Sequence, residues 1–230
     1  LPTKDAGHLA AASALSAGAY GSVCTVMTAA LVDLLRRWTR FACWKGGAGA
    51  DFGLLVWTGT VPQRADPLLH LVQRSVRIVA LLVQDAVLTL PEVDILWRCS
   101  GDSNNPIAAA RQMLKLIGVT LEQGKLCRKG HTLEEPWKVG GAVRNSWLVE
   151  ATRAHDMDDV GRRRKKLDPA AIEFSQLTAR LSSLRMKKDK VAALRGVWAG
   201  DAIEGPRAAK WRGEASCQCG EPETLEHRWW

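Results

Sequence analysis

The sequence predicts a mainly α-helical protein, a bundle-like array of helices with a small β-hairpin near residues 119–133 and a short Cys/His tail. Two observations predict this class. Apolar residues recur at spacings of three and four over long stretches, which is the period of an amphipathic helix. An Asp-Pro or Asn-Pro pair precedes three of these stretches, and such a pair supplies a side-chain cap followed by proline at the first helical position.

Residues 6–44 are predicted to form one long or broken helix, with Gly18 and Gly21 as weak points. A glycine-rich run at 45–49 ends it. This run follows a helix and lacks the Gly-Lys-Ser/Thr ending of a phosphate-binding loop, so we expect a turn. Segment 9–32 has no charged residue, but its many small residues are too weakly apolar for a membrane span. We therefore expect a helix buried in protein, with no membrane partner.

Three later helices are predicted to begin at Asp66-Pro67, Asn105-Pro106 and Asp168-Pro169. Each start is followed by an apolar stripe at helical spacing, which we expect to lie in the core. The stripes are Leu69, Val72, Val76, Val79 and Val83; Ile107, Ala110, Leu114 and Ile117; and Phe174, Leu177, Leu181 and Leu184.

The stretch between the second and third of these helices is predicted to contain the hairpin. Short extended segments at 119–121, 125–127 and 132–133 surround Gly124 and Gly130. A further helix is predicted over 143–155, with Trp147 and Ala151 on one face and Arg144 on another.

The charge balance favours polyanionic partners. The net charge is +8 and the pI is near 9.4, which favours binding through counterion release; a basic protein without such a partner is the alternative. Six scattered cysteines do not form the dense framework of a small secreted domain, so we expect a reducing compartment, nuclear or cytoplasmic.

The densest basic stretch, Gly161 to Lys166, reads GRRRKK. Residues 143–190 contain 12 Lys/Arg and 7 Asp/Glu, a net charge of +5. Such a stretch would hold phosphate backbones without reading sequence, and the predicted contacts to RNA or DNA are Arg144, Arg153, Arg162, Arg163, Arg164, Lys165 and Lys166. A solvated linker and a short nuclear import signal are the alternatives.

The acidic segment 155–159 does not predict catalysis. Its Met157-Asp158-Asp159 sequence superficially resembles the catalytic turn of a polymerase, but no apolar strands flank it. We therefore expect a polar linker whose carboxylates partly offset the arginines. No Gly-x-Ser-x-Gly, His-Glu-x-x-His or dinucleotide motif occurs, so we predict no catalytic residue.

The last fifteen residues contain a candidate metal site. Cys217, Cys219 and His227 lie within eleven residues, and Gly220 allows the sharp turn that would aim both sulfurs at one ion. Thiolate and imidazole are the ligands that Zn²⁺ prefers, but a closed structural site needs a fourth. A polar tail with reduced thiols is the alternative.

This tail resembles the zinc-binding segment at the end of non-LTR retrotransposon reverse transcriptases, in Cys219-Gly220, Glu223-Thr224, His227 and Trp229-Trp230. The first cysteine pair is one residue shorter than in that pattern, and the final cysteine would lie beyond Trp230. The resemblance implies Zn²⁺ held weakly or not at all by Cys217, Cys219 and His227, an upstream polymerase domain, and a non-catalytic role here in gripping RNA or DNA.

The resemblance also implies a division of the chain. A helical region of one or two sub-bundles would span 1–140, a basic arm with paired amphipathic helices 141–213, and the truncated zinc-knuckle-like tail 214–230. The order of these parts is similar to the region after the polymerase domain in that family, and we expect the chain to be a fragment. Two alternatives stay open: a helical protein-interaction module anchored by tryptophans such as Trp198 and Trp211, and a decayed element copy without present function.

Overall fold

The computed structural model describes residues 3–22, 24–44, 50–59, 61–101, 104–138 and 141–163. In this part, 66% of residues are helical, and three short strands form an antiparallel sheet. The prediction of a mainly α protein with a small β-hairpin is therefore confirmed. In chain order the elements are α1 (Thr3–Leu9), a π-helical turn (Ala10–Ala14), α2 (Leu15–Gly18), α3 (Ala29–Cys43), α4 (Phe52–Trp57), a 3₁₀ turn (Gln63–Ala65), α5 (Pro67–Gln84), α6 (Leu90–Cys99), α7 (Pro106–Leu116), β1 (Thr120–Glu122), β2 (Lys125–Arg128), β3 (His131–Leu133) and α8 (Ala142–Arg163).

The helix predicted over 6–44 is broken. It ends as α2 at Gly18, and α3 begins only at Ala29. Gly21 lies in the intervening turn with a φ of 78°, a conformation that glycine adopts without strain. Thr28 then starts α3, since its hydroxyl accepts a 3.3 Å hydrogen bond from the backbone N–H of Leu31.

None of the helices in the described ranges combines the length and apolar character needed to cross a bilayer.

Two of the three predicted Pro-initiated helices are confirmed. The Asp66 carboxylate accepts from the amide of Leu68 at 3.1 Å, and the Asn105 side chain accepts from the amide of Ala108 at 2.8 Å. Their apolar stripes are buried as expected, apart from Val83, which is partly buried. The start at Asp168-Pro169 and the stripe behind it lie outside the described residues.

Two helices were not predicted from the sequence. Asp51 caps the short α4 through a 3.3 Å bond from the amide of Leu54. Thr89 starts α6 with a capping box, in which the Thr89 hydroxyl accepts from the amide of Glu92 and the Glu92 carboxylate accepts from the amide of Thr89.

The predicted hairpin is a three-stranded meander in the order β1-β2-β3. Each turn has two central residues with positive φ: Gln123 and Gly124 at 50° and 78°, then Lys129 and Gly130 at 44° and 83°. Two positive-φ residues match the right-handed twist of paired strands, and glycine at the second position lowers the strain. The two glycines singled out from the sequence are therefore the residues that permit both tight turns.

The buried apolar residues form two clusters. The main cluster centres on α5 and α7 and includes the sheet, α6 and the first half of α8. The smaller cluster surrounds α4 and includes the second half of α8. Fully buried members of the main cluster include Val72, Val76, Val79, Leu114, Leu126 and Leu148, and those of the smaller cluster include Leu55, Val56, Val61 and Val160.

The helix α8 connects both clusters with the preceding helices, since it contacts α4 and α5. The predicted boundary near residue 140 stays a prediction, because the 141–213 unit lies outside the described residues beyond α8.

Candidate nucleic-acid interface

The helix α8 carries four of the seven predicted nucleic-acid contacts, and its position in the fold determines what each can reach. Leu148 and Ala151 pack in the main cluster, whereas Met157 and Val160 pack in the smaller one. The helix is thus anchored along its length, and its carboxyl end leads directly into the basic run.

Near the carboxyl end of α8, the cation Arg162 faces solvent. The Arg162 side chain is 70% exposed, and its Nη2 lies 3.5 Å from the Asp159 carboxylate one turn earlier. Arg163 is the last residue of α8. Surface ion pairs of this kind contribute little free energy, so Arg162 can exchange Asp159 for a phosphate at low cost. Arg164, Lys165 and Lys166 lie outside the described residues.

Arg153 lies midway along α8 and is half-exposed. Its Nη2 and Nε donate to the Glu150 carboxylate at 2.6 and 3.0 Å. The charge of Arg153 is therefore locally compensated, and it adds less to the potential of the surface than the sequence suggested.

Arg144, at the amino end of α8, is buried, with 9% of its surface exposed. Its Nη1 donates to the carbonyl oxygens of Lys138 at 3.0 Å and Pro136 at 3.4 Å. Burial and the nearby charge of Arg77 lower the pKa of Arg144. Eighteen residues separate it from Arg162, about 27 Å along the helix axis. The structure therefore does not bring Arg144 together with the basic run.

The acidic segment expected to be a polar linker is instead part of α8, so that prediction is wrong. Asp156 is buried, and so is Met157. The Asp156 carboxylate accepts from Arg36 Nη1 and Nη2 at 2.9 and 3.0 Å and from the indole Nε1 of Trp57 at 2.7 Å. These buried hydrogen bonds to Arg36 and Trp57 attach this part of α8 to the core.

Arg36 holds a second buried carboxylate. Its Nε and Nη2 donate to Asp66 at 2.8 and 2.7 Å, while Asp66 also caps α5. One guanidinium thus links α3, α5 and α8, with Trp57 adding α4. Burial raises the pKa of Asp66 despite the attraction of Arg36. Burial alone would lower the pKa of Arg36, but the two carboxylates outweigh it and raise that pKa.

The next carboxylate of the segment attaches α8 to the sheet. Arg128 and Lys129 donate to Asp158 Oδ2 at 2.8 and 2.7 Å. Burial acts to raise the pKa of Asp158, but the hydrogen bonds from Lys129 and Arg128 outweigh it and lower the pKa. The acids of this segment therefore compensate cations brought close by the fold, as well as Arg162 on the same helix.

The predicted zinc ligands Cys217, Cys219 and His227 lie outside the described residues, so the zinc site stays a prediction. Within the ranges that the structure describes, no three His, Cys, Asp or Glu side chains are grouped so that they could hold a metal ion. The carboxylates around Arg36 are engaged by that guanidinium and Trp57, and they form a structural cluster.

The sequence reasoning missed a second group of cations. His70, Arg74 and Arg77 lie on the polar side of α5 and face Arg144 across a cleft. Their spacing of four and three was a usable signal, because it places them on one helical face.

Comparisons of the chain with protein-family models, with curated proteins and with solved structures found no match.

Proposed function

We propose that this chain is a non-catalytic, nucleic-acid-binding segment of the kind that follows the polymerase domain in retrotransposon reverse transcriptases. The observation that carries the proposal is the exposed Arg162 near the carboxyl end of α8, which is followed in the sequence by Arg163, Arg164, Lys165 and Lys166. Five consecutive cations, of which the first two belong to an anchored helix, would contact a phosphate backbone without reading its bases.

The rest of α8 supports this role mechanically. Its two halves pack in different clusters, and Asp156 and Asp158 attach it to α3 and to the sheet. A helix held in this way loses little further conformational entropy when its basic end binds a polyanion. The zinc-like tail and the upstream polymerase remain parts of the proposal that rest on the resemblance.

The test replaces all five cations from Arg162 to Lys166 with glutamine and measures binding to single-stranded RNA and duplex DNA at several salt concentrations. If each cation contacts one phosphate, the slope of log affinity against log salt should flatten by up to about 3.5 on single strands and about 4.5 on duplex. The solvated-linker and import-signal alternatives predict an unchanged slope.

The matched control removes five positive charges from elsewhere on the described surface. Its substitutions to glutamine are at Arg37, Arg98, Lys115, Lys125 and Lys138. This control should retain most of the salt dependence. Equal slopes for the native chain and the Arg162–Lys166 variant would refute the proposal.

A helical protein-interaction module is the second candidate, and the outer face of α3 favours it. Trp38 and Phe41 are 63% and 65% exposed, and Leu31 is exposed on the same side. Exposed aromatic side chains grouped on one helix face are typical of protein contact surfaces. Failure to bind RNA or DNA at low salt would favour this candidate. Trp198 and Trp211 lie outside the described residues.

A further inference from the structure

A cleft of about 740 Å³ lies between α5 and the amino end of α8. Its walls combine the polar face of α5 with the first residues of α8 and the glycine before them. The side chains that matter for its chemistry are His70, Arg74, Arg77, Arg144 and Asn145. None of the described residues lining it is acidic.

The cations converge because of helix geometry. His70, Arg74 and Arg77 are separated by four and three residues, so their side chains follow one face of α5. Packing of α8 against α5 brings Arg144 to the opposite wall. The cleft therefore concentrates three guanidinium groups and an imidazole in a concave space that focuses their field.

These cations are not compensated in the way that others in the protein are. Arg36, Arg128 and Arg153 each hold a carboxylate within 3 Å. Within the described ranges, no carboxylate bonds to Arg74, Arg77 or Arg144. As far as the described residues define it, the cleft is thus a region of unbalanced positive charge.

Two buried polar atoms of side chains that line the cleft have no hydrogen-bond partner among the described residues: Nε2 of His70 and Nε of Arg144. Buried polar atoms are nearly always hydrogen-bonded, so two unsatisfied ones on side chains that line the same cleft favour a polar ligand there. Burial lowers the pKa of both groups, and a neighbouring arginine lowers each further: Arg74 for His70 and Arg77 for Arg144. A bound anion would favour the charged forms of His70 and Arg144 and so raise both pKa values.

The Arg144 guanidinium is held in place before any ligand arrives. Two backbone carbonyls accept from its Nη1, and its Nη2 lies over Gly141, where an added Cβ would stand 2.8 Å away. A glycine at 141 thus leaves room for this guanidinium. Preorganised guanidinium groups bind tetrahedral oxyanions through paired N–H donors.

We propose that this cleft binds a phosphate group, carried either by inorganic phosphate or by a nucleotide. Arg74 and Arg77 supply charge from one wall, Arg144 supplies oriented donors from the other, and His70 supplies a further donor or acceptor. The site is separate from the basic run at the far end of α8, and it does not depend on the function proposed above.

The experiment titrates the full chain with sodium phosphate and with adenosine 5′-monophosphate, using sodium chloride at matched ionic strength as the blank. Saturable heat or a saturable rise in melting temperature is expected with phosphate and with the nucleotide. Tighter binding of the nucleotide would assign a nucleotide as the ligand, and equal affinities would assign the free anion.

Arg74→Gln and Arg77→Gln test the residues. Both side chains are at least partly exposed, so the fold should tolerate these changes. Each should weaken phosphate binding about tenfold or more, since a hydrogen bond to a charged group is lost. Arg37→Gln is the matched control, because it removes the same charge from an exposed position outside the cleft and should bind as the native chain does.

A second measurement does not depend on the variants. Phosphate should shift the imidazole resonances of His70 in the native chain, with the signal assigned by its loss in His70→Gln. Absence of any saturable response beyond the chloride blank would overturn the proposal. Unchanged binding in both arginine variants would overturn it as well.

Discussion

At the scale of single residues, the feature that most shapes this molecule is the pairing of Arg36 with two buried aspartates. The guanidinium makes four hydrogen bonds of 2.7 to 3.0 Å to Asp66 and Asp156. Desolvating three charges costs free energy that good geometry only partly returns. The cluster therefore specifies how α3, α5 and α8 meet more than it adds to stability.

Replacement of Arg36 by methionine should destabilise the protein by about 3–5 kcal/mol at pH 7, because two buried carboxylates would then face each other unpaired. Urea unfolding measures this loss. Arg37→Gln is the control, since it removes an exposed charge from the same helix. A loss below about 1 kcal/mol would contradict the structural role of the cluster.

The pH dependence of the same variant has a definite sign. Burial already raises the pKa of Asp66, and removal of Arg36 would raise it further. A carboxyl whose folded-state pKa is raised stabilises most below its unfolded pKa and loses that contribution as pH rises through the folded pKa. The difference in free energy of unfolding between the Arg36→Met variant and the native chain should therefore become smaller as pH falls from 7 towards about 4.

At the scale of elements, the polar caps decide where the helices begin. Asn105 accepts from the amide of Ala108 at 2.8 Å, and Pro106 follows at the first helical position. Because these signals involve residues close together in the chain, they could be recognised in the sequence. The full length of α8 was harder to predict from its apolar pattern. The first half of the helix buries one face against α5, whereas the second half buries another face against α4.

Asn105→Ala should cost about 1 kcal/mol, since one amide at the start of α7 loses its partner. Urea unfolding gives the global value, and hydrogen exchange at Ala108 should quicken locally. Asn104→Ala is a matched control, because Asn104 is exposed and precedes the cap. Equal losses for the two variants would contradict the capping role of Asn105.

At the scale of the whole molecule, α8 joins two apolar clusters into one core. Leu148 lies in the main cluster and Val160 in the smaller one, twelve residues apart on the same helix. The buried ion cluster around Arg36 adds a polar link between the helices of both. We therefore expect the described region to unfold as one cooperative unit.

Leu148→Ala and Leu55→Ala test this cooperativity from the two clusters. Both side chains are fully buried, so each change should cost about 2–5 kcal/mol. Each should shift the same single transition, followed by circular dichroism and by hydrogen exchange in both α4 and α5. Leu90→Ala, at an exposed position, is the control. Two separate transitions in either variant would show that the clusters unfold independently.

The candidate contacts were only partly predictable. Arg162 was predicted as a nucleic-acid contact in a basic stretch beyond the helix; the structure places it within α8 with an exposed side chain, and the contact itself stays a prediction. Arg144 was grouped with it by proximity in sequence, yet the fold buries it in a different place. The sequence analysis did not identify the cations His70, Arg74 and Arg77, because it interpreted this helix only by the apolar stripe on its buried face.

The sequence by itself determined the fold class, two capped helix starts and both hairpin turns, because each depends on interactions among residues a few positions apart. Only the tertiary structure decided that Asp156 is a buried partner of Arg36, that α8 continues to Arg163, and that Arg144 faces the cations of α5. The contacts among these features depend on residues far apart in the chain; Arg36, for example, pairs with Asp66 and Asp156, which lie 30 and 120 residues away. No local pattern encodes such pairs, since whether a charge is buried or solvated depends on what the folded chain places beside it.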